Sequence, residues 1–350
     1  MTAEHLRRLP FDHFARYQLA AEVVDATRRV GASRVLDIGG GPGSLAAFCP
    51  DDRVISSDLH LPSHWHAAAP DLVLADGAKL PFADSTFDIV VTLDTLEHVP
   101  PERRPDLLSE ALRVSRGYVL VVCPCGTPGV PEADAALLSF VRQRFGEEFE
   151  TVGVLQEHLG YGHPDPQQVL RDMRRAGADV ESFPSGRLDR WLPMMLLFYN
   201  LMALGKDDPV ERVQAWYNAL FYRDDLRAPS YRQAFLARVA GADGPAPEEI
   251  VGRLLPQGPP LAADTSALEA LRIGLTEELV GTVDHYRAQL ADLERRLAEA
   301  TVESDRQRTR AELAEAHAAG LEAFRQQVLN HPLVKATRPL RRTVRALGRR

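Results

Sequence analysis

Val35-Leu36-Asp37-Ile38-Gly39-Gly40-Gly41-Pro42-Gly43 is the stretch on which the fold of this chain turns. Apolar and β-branched residues frame an acid, and a glycine cluster follows at once. That order describes a buried parallel strand, a tight turn and a helix opening near Ser44. Glycine lets the backbone pass close to a ligand and take φ values that a Cβ forbids. The free N–H groups of the next helix point into the same turn.

A turn of this kind holds either a dinucleotide or S-adenosyl-L-methionine. The dinucleotide fingerprint, started at Gly39, asks for Gly or Ala at the position where Ser44 stands. Asp37, just before the first glycine, repels a pyrophosphate and attracts an ammonium group. S-adenosylmethionine carries an α-amino group and a sulfonium, both positive. The stretch resembles the glycine-rich motif of class I S-adenosylmethionine-dependent methyltransferases. The resemblance spans residues 35–124 and continues more weakly to residue 241.

Outward from the turn, residues 14–30 have helical spacing, with Phe14, Leu19, Ala20, Val23, Val24 and Ala26 able to share a face. Arg53-Val54-Ile55-Ser56-Ser57 reads as a second strand and closes on Asp58. An acid about 20 residues past the glycines can accept both hydroxyls of a ribose. Residues 71–75 form the third strand, followed by Asp76-Gly77-Ala78. In the resembled family the matching acid and its neighbouring backbone meet the adenine edge. Residues 80–91 read as a turn feeding strand four, and residues 92–99 continue it; both resemble the same family. An amphipathic helix over 101–114 and a fifth strand, Tyr118-Val119-Leu120-Val121-Val122, follow. Strands alternating with helices imply a doubly wound, mostly parallel α/β sheet with the ligand at its carboxyl ends. The resemblance makes that sheet seven-stranded and Rossmann-like. It assigns donor binding to Asp37, Gly39, Gly41, Asp58, Asp76, Gly77, Ala78 and Asp94.

Farther on, residues 131–149 and 166–176 read as helices, 179–183 as a strand, and 231–239 as a last antiparallel strand. A helical insertion over 185–228 separates those two strands. It contains the apolar run Trp191-Leu192-Pro193-Met194-Met195-Leu196-Leu197-Phe198-Tyr199-Asn200-Leu201-Met202, with Pro193 suited to a first helical turn. The run reads either as a buried core helix or as a lid that dips into lipid. The methyltransferase domain is thus expected over 1–241, and the Pro- and Gly-rich residues 242–264 as a linker. Residues 265–328 then read as helical, and Val283, Tyr286, Leu290, Leu293, Leu297 and Ala300 make a coiled-coil seam suited to a homo-oligomer. The tail, 329–350, carries Lys335, Arg338, Arg341, Arg342, Arg345, Arg349 and Arg350 and no acid. Leu333, Leu340, Val344 and Leu347 share one face of it, the pattern of a basic amphipathic helix that attracts anionic lipid. Pro339-Leu340-Arg341-Arg342 resembles tails of bacterial glycosyltransferases and methyltransferases of surface-polysaccharide assembly.

Methyl transfer from a sulfonium is an in-line displacement, so the protein mainly aligns donor and acceptor. A hydroxyl acceptor also has to lose its proton. His98 after strand four, and His158 and His163 in the segment Gln156-Glu157-His158-Leu159-Gly160-Tyr161-Gly162-His163-Pro164, are the candidates for that step. The glycines of this segment predict a loop walling the acceptor side. Asp94-x-x-Glu97-His98 resembles an acid cluster with which some methyltransferases hold a divalent ion. Glu-His followed by Val and Pro also occurs in methyltransferases without a metal, so no metal ligand is assigned.

A chain of 350 residues with formal charge −8 has room for a full core and no global pull towards nucleic acid. Its 3 cysteines fit a reducing compartment. The N-terminus lacks a signal-peptide core, and no apolar run reaches the ~18 residues needed to cross a bilayer. The expectation is a cytoplasmic enzyme, with the tail as a peripheral membrane contact, that O-methylates a sugar hydroxyl of a bacterial surface glycan or its lipid-linked precursor. The alternatives are a quinone-type or other small-molecule methyltransferase, and a non-catalytic scaffold that kept the fold.

Overall fold

The computed structural model describes residues 2–60, 71–203, 205, 207–261, 295 and 310–330. The chain divides into two compact units, Met1–Ala263 and Asp264–Arg350.

In the first unit, helices α1 (Ala3–Arg7) and α2 (Phe11–Thr27) lead into β1 (Arg34–Ile38). Then come α3 (Leu45–Phe48), β2 (Arg53–Asp58), β3 (Leu72–Leu74) and β4 (Phe87–Leu93). Two single 3-10 turns, Leu96–His98 and Pro101–Arg103, precede α4 (Arg104–Val114) and β5 (Ser115–Pro124). Next are α5 (Val130–Phe145), α6 (Glu150–Tyr161), α7 (Pro166–Arg175) and β6 (Asp179–Arg187). The unit ends with α8 (Leu188–Ala203), α9 (Asp207–Leu220), β7 (Ser230–Arg238) and α10 (Pro247–Leu254).

The strands form one sheet in the order β3-β2-β1-β4-β5-β7-β6. The pairings from β3 to β5 are parallel, and β7 runs antiparallel to both its neighbours. This is the seven-stranded, Rossmann-like class I methyltransferase sheet that the motifs imply. Strand alternation explains why both faces are covered. Val35, Leu120 and Val122 pack with Leu19, Val23 and Val24 of α2 on one face. Leu36, Val119 and Val121 pack with Leu107, Leu108 and Ala111 of α4 on the other. A parallel sheet buried on both faces needs such near-continuous apolar strands. A third cluster, with Leu137, Val152, Trp191 and Tyr217, joins α5, α6, α8 and α9.

Three expectations are corrected. The segment 156–164 is not a loop, because α6 continues to Tyr161. Val152, Leu155 and His158 recur every third residue on its buried face, and the chain turns only at Gly162, φ +72°. Pro193 stands in the interior of α8, since that helix already begins at Leu188. Of the expected linker 242–264, the described residues 242–261 are not an open linker. Pro247 opens α10, whose Ile250, Val251 and Leu254 are buried in the α2-side core. The Tyr118 hydroxyl donates to the Pro245 carbonyl at 2.8 Å and fixes the approach to that helix. Of the second unit, α11 (Arg310–Asn330) is described, and it exposes Leu321, Phe324 and Val328. The seam residues Val283, Tyr286, Leu290, Leu293, Leu297 and Ala300 and most of the basic tail lie outside the described residues. Among the described residues no helix is long and apolar enough to cross a membrane.

Candidate active site

The carboxyl ends of β1, β2, β3 and β4 open into a cavity of about 330 Å³. Gly39, Asp58, Asp76, Gly77, Ala78 and Asp94, six of the residues expected to bind the donor, line it. Gly39 has φ +73°, and a Cβ there would stand 2.3 Å from Thr95 Oγ1, so only glycine fits. Asp58 Oδ2 accepts the Gly41 N–H at 3.2 Å, which ties the glycine turn to the end of β2. Asp76 accepts from Arg103 at 2.6 Å and from the Ala78 N–H at 3.0 Å. Those two bonds, Arg103's first, hold its carboxyl below the usual range.

Asp37, next in sequence to the lining residue Ile38, is buried and is not on the cavity wall. Among the described residues neither of its carboxylate oxygens has a hydrogen-bond partner. Burial pushes its pKa up to about 8, with Arg16 opposing and Asp58 adding to the shift. An unpaired buried carboxyl of this kind is poised for a cation. Gly41 is likewise not on the cavity wall; it acts through Asp58.

A second cavity, about 280 Å³, lies between the sheet and the helices α2, α5, α6 and α8. Asp94 and His98 line both cavities, so the two meet there. Asp94 sits in the left-handed region, φ +50°, with its N–H donating to the Val122 carbonyl at 2.9 Å. Its carboxylate accepts from Arg232 Nε at 2.6 Å and also from Arg16. Burial by itself would raise its pKa, but Arg232 and Arg16 drive it well below the carboxylate range. Arg232 also donates to Asp12 at 2.8 Å, and Asp12 accepts the Trp191 indole N–H at 2.6 Å. Asp94 is therefore held by arginines rather than free for the donor.

The three candidate histidines converge although they come from different elements. Asp134 of α5 accepts from His158 Nδ1 at 2.8 Å, from His163 Nε2 at 2.8 Å and from the Tyr231 hydroxyl at 2.7 Å. Burial tends to raise Asp134, yet the hydrogen bonds from the two histidines bring it below the usual range. His158 Nε2 lies 3.2 Å from His98 Nε2, and His98 Nδ1 lies 2.8 Å from Glu157. Burial and then the neighbouring His158 lower the His98 pKa, against the pull of Glu157. His98 and His158 face the second cavity. His163 does not; it lies behind Asp134 as a positioning residue, which corrects its expected place at the acceptor.

Asp12, Arg16, Asp134, Trp191, Tyr231 and Arg232 escaped the sequence reading. Asp12 and Arg16 are spaced i, i+4 on α2, a signal that usually marks a solvated ion pair. Arg232, on a strand that also carries Tyr231, Ala234, Phe235 and Leu236, was the stronger clue. A cation buried on a sheet has to meet acids.

Residues 36–122 match a family described as a methyltransferase domain. An uncharacterized methyltransferase of Mycobacterium avium (strain 104) is 42% identical over 100 residues, 25% of this chain and 37% of that protein. A demethylmenaquinone methyltransferase of Beutenbergia cavernae is 37% identical over 129 residues, 35% of this chain and 52% of that protein. This chain therefore spans from about a third to about half of the length of these curated relatives. The solved plantazolicin methyltransferase BpumL, in complex with SAH, is 12% identical with a TM-score of 0.42, covering 66% of this chain and 85% of that one. Residues 36–122 thus match a methyltransferase domain and lie within a seven-stranded sheet of class I methyltransferase topology.

Proposed function

We propose that the protein transfers a methyl group from S-adenosylmethionine to a hydroxyl of a polar, sugar-like acceptor. The observation that carries this is the meeting of the two cavities at Asp94 and His98. The second cavity offers Glu150, Thr151 and the Asp12–Arg232 pair for hydroxyl groups, beside the stacked Trp191 and Tyr231 rings, whose centroids are 3.4 Å apart. Polar groups that converge on a mixed wall fix the orientation of a small ligand. In the reaction the acceptor oxygen bonds to the methyl carbon, the carbon–sulfur bond breaks, and its electron pair stays on sulfur. The hydroxyl's proton leaves to water on the side of the cavity that His98 and His158 line. Holding the two reactants in line supplies most of the acceleration.

The surface-glycan assignment rests on the resemblance of the middle region and tail, and fold by itself does not license it. A second reading, a quinone acceptor, draws on Trp191 and Met195 of α8 in the cavity wall and on the demethylmenaquinone methyltransferase among the relatives. A labelled-methyl screen against glycans, quinones and RNA tests both. Label in carbohydrate supports the proposal; label confined to quinone or RNA overturns it. The proposed homo-oligomer is supported by the uncovered Leu321, Phe324 and Val328 of α11. Loss of association on deleting residues 265–328 is the expected result. Flotation with anionic vesicles at low salt tests the tail as a membrane contact, and full-length protein that ignores them would rule it out.

A further inference from the structure

Glu97, His98 and His158 bring three potential ligand atoms within 4.8 Å of one another. Glu97 lies on the 3-10 turn after β4 and is fully buried. Among the described residues neither of its carboxylate oxygens has a hydrogen-bond partner. A desolvated carboxyl with no partner is costly, and such a group in a native site calls for an explanation.

The imidazoles supply a second and independent observation. His158 Nδ1 lies 2.8 Å from Asp134, and His98 Nδ1 lies 2.8 Å from Glu157. A carboxylate oxygen accepts and does not donate, so each Nδ1 carries the hydrogen. Each Nε2 then turns a lone pair towards the other across 3.2 Å. Two facing lone pairs repel unless a positive charge stands between them, either a shared proton or a metal ion. The third atom discriminates, because Glu97 Oε1 stands 4.0 Å from the same His158 Nε2. A tetrahedral site with bonds of about 2.1 Å spaces its ligands about 3.4 Å apart, and the three atoms already lie within 4.8 Å of one another, so closing the widest pair by about 1.4 Å at most brings all three onto one ion. A shared proton would leave Glu97 unexplained. An imidazole whose Nδ1–H is held by a carboxylate is also the arrangement that orients metal-ligating histidines.

We propose that Glu97, His98 and His158 bind a divalent first-row transition metal, with Asp134 and Glu157 orienting the two imidazoles. A donor set of two nitrogens and one oxygen suits zinc, manganese, iron or cobalt better than magnesium or calcium. Asp94 is not a ligand, since Arg16 and Arg232 occupy its carboxylate. The open positions face the second cavity, which Glu97, His98 and His158 all line. The chemical class that would fill them is a hydroxyl oxygen, or a vicinal diol, of the acceptor. Coordination makes such a hydroxyl more acidic, its proton leaving to water. This role in activating the acceptor rests on the hydroxyl-methylation reading; the metal site itself does not.

The test uses full-length protein stripped with a chelator and titrated with Co²⁺ by visible absorption and with Zn²⁺ and Mn²⁺ by calorimetry. One ion per chain, with a Co²⁺ band of nitrogen-containing coordination, is the expected result. Glu97→Gln and His98→Ala should each weaken binding about 10- to 100-fold or more, while exposed His5→Ala leaves it unchanged. Circular dichroism checks that each variant folds; His98 is half-buried, so its variant remains informative if Glu97→Gln does not fold. The same affinity in wild type and both variants, or no stoichiometric binding, overturns the site and leaves the shared proton as the account of the histidine pair. Stoichiometric metal with no methyl transfer to any hydroxyl overturns the functional proposal and leaves the site standing.

Discussion

Gly39→Ala probes the glycine turn with a single methyl group. Gly39 has φ +73°, and placing an L-residue there costs roughly 1–2 kcal/mol. The added Cβ would also meet Thr95 Oγ1 at 2.3 Å and Cγ2 at 2.5 Å, forcing Thr95 to move. Thr95 cannot move freely, because its hydroxyl donates to the Ile38 carbonyl at 3.2 Å at the end of β1. Overpacking of this kind costs about 1–3 kcal/mol, so the full destabilisation should be about 2–5 kcal/mol. Thr95→Ala removes both clashing atoms and leaves its Cβ at 3.0 Å. The single Thr95→Ala variant should lose only its hydrogen bond, about 1 kcal/mol. The double variant should recover the overpacking part and keep the backbone strain. Denaturant unfolding of the four proteins gives the coupling energy, and calorimetry with S-adenosylmethionine reports the cleft. A Gly39→Ala protein within about 0.5 kcal/mol of wild type, or a cycle with no coupling, would refute the steric account.

Asp58→Ala should weaken S-adenosylmethionine binding by about 1.5–3 kcal/mol, since charge-assisted bonds to the ribose are lost; unchanged calorimetric affinity counts against the donor assignment. Asp37 has its folded pKa raised to about 8 from 3.8, so the native state binds more protons than the unfolded one between those values. Stability of the unliganded protein should therefore fall as pH rises through that window, and Asp37→Asn should flatten the fall in a pH series of melts. Ile250→Ala should cost about 2–5 kcal/mol, because Ile250 is wholly buried in the α2-side core; a variant as stable as wild type would return this segment to a linker. His98→Ala should lower methyl-transfer turnover about 10²- to 10⁴-fold and leave the fold intact; full activity in the labelled-methyl assay would remove His98 from the reaction.

The sequence by itself determined the sheet and most of the residues that line the cavity at its carboxyl ends. Those signals are local: a strand, an acid and glycines within nine positions, then acids at successive strand ends. Backbone sterics and apolar alternation act between near neighbours, so they survive in a one-dimensional reading. They failed where local chemistry was outvoted. The glycines of residues 156–164 promised a loop, but Val152, Leu155 and His158 had a face to bury, and α6 ran on. The Pro- and Gly-rich residues 242–264 promised a linker, but Ile250 and its neighbours completed the core beside α2. Only the tertiary structure decided how the acceptor side is assembled. Asp134, His158, Tyr231 and Arg232 come from α5, α6 and β7, and no spacing in the chain encodes their meeting with His98 and Asp94. Their charges matter only after packing has removed water, because burial turns an ordinary acid or arginine into a group that must find a partner.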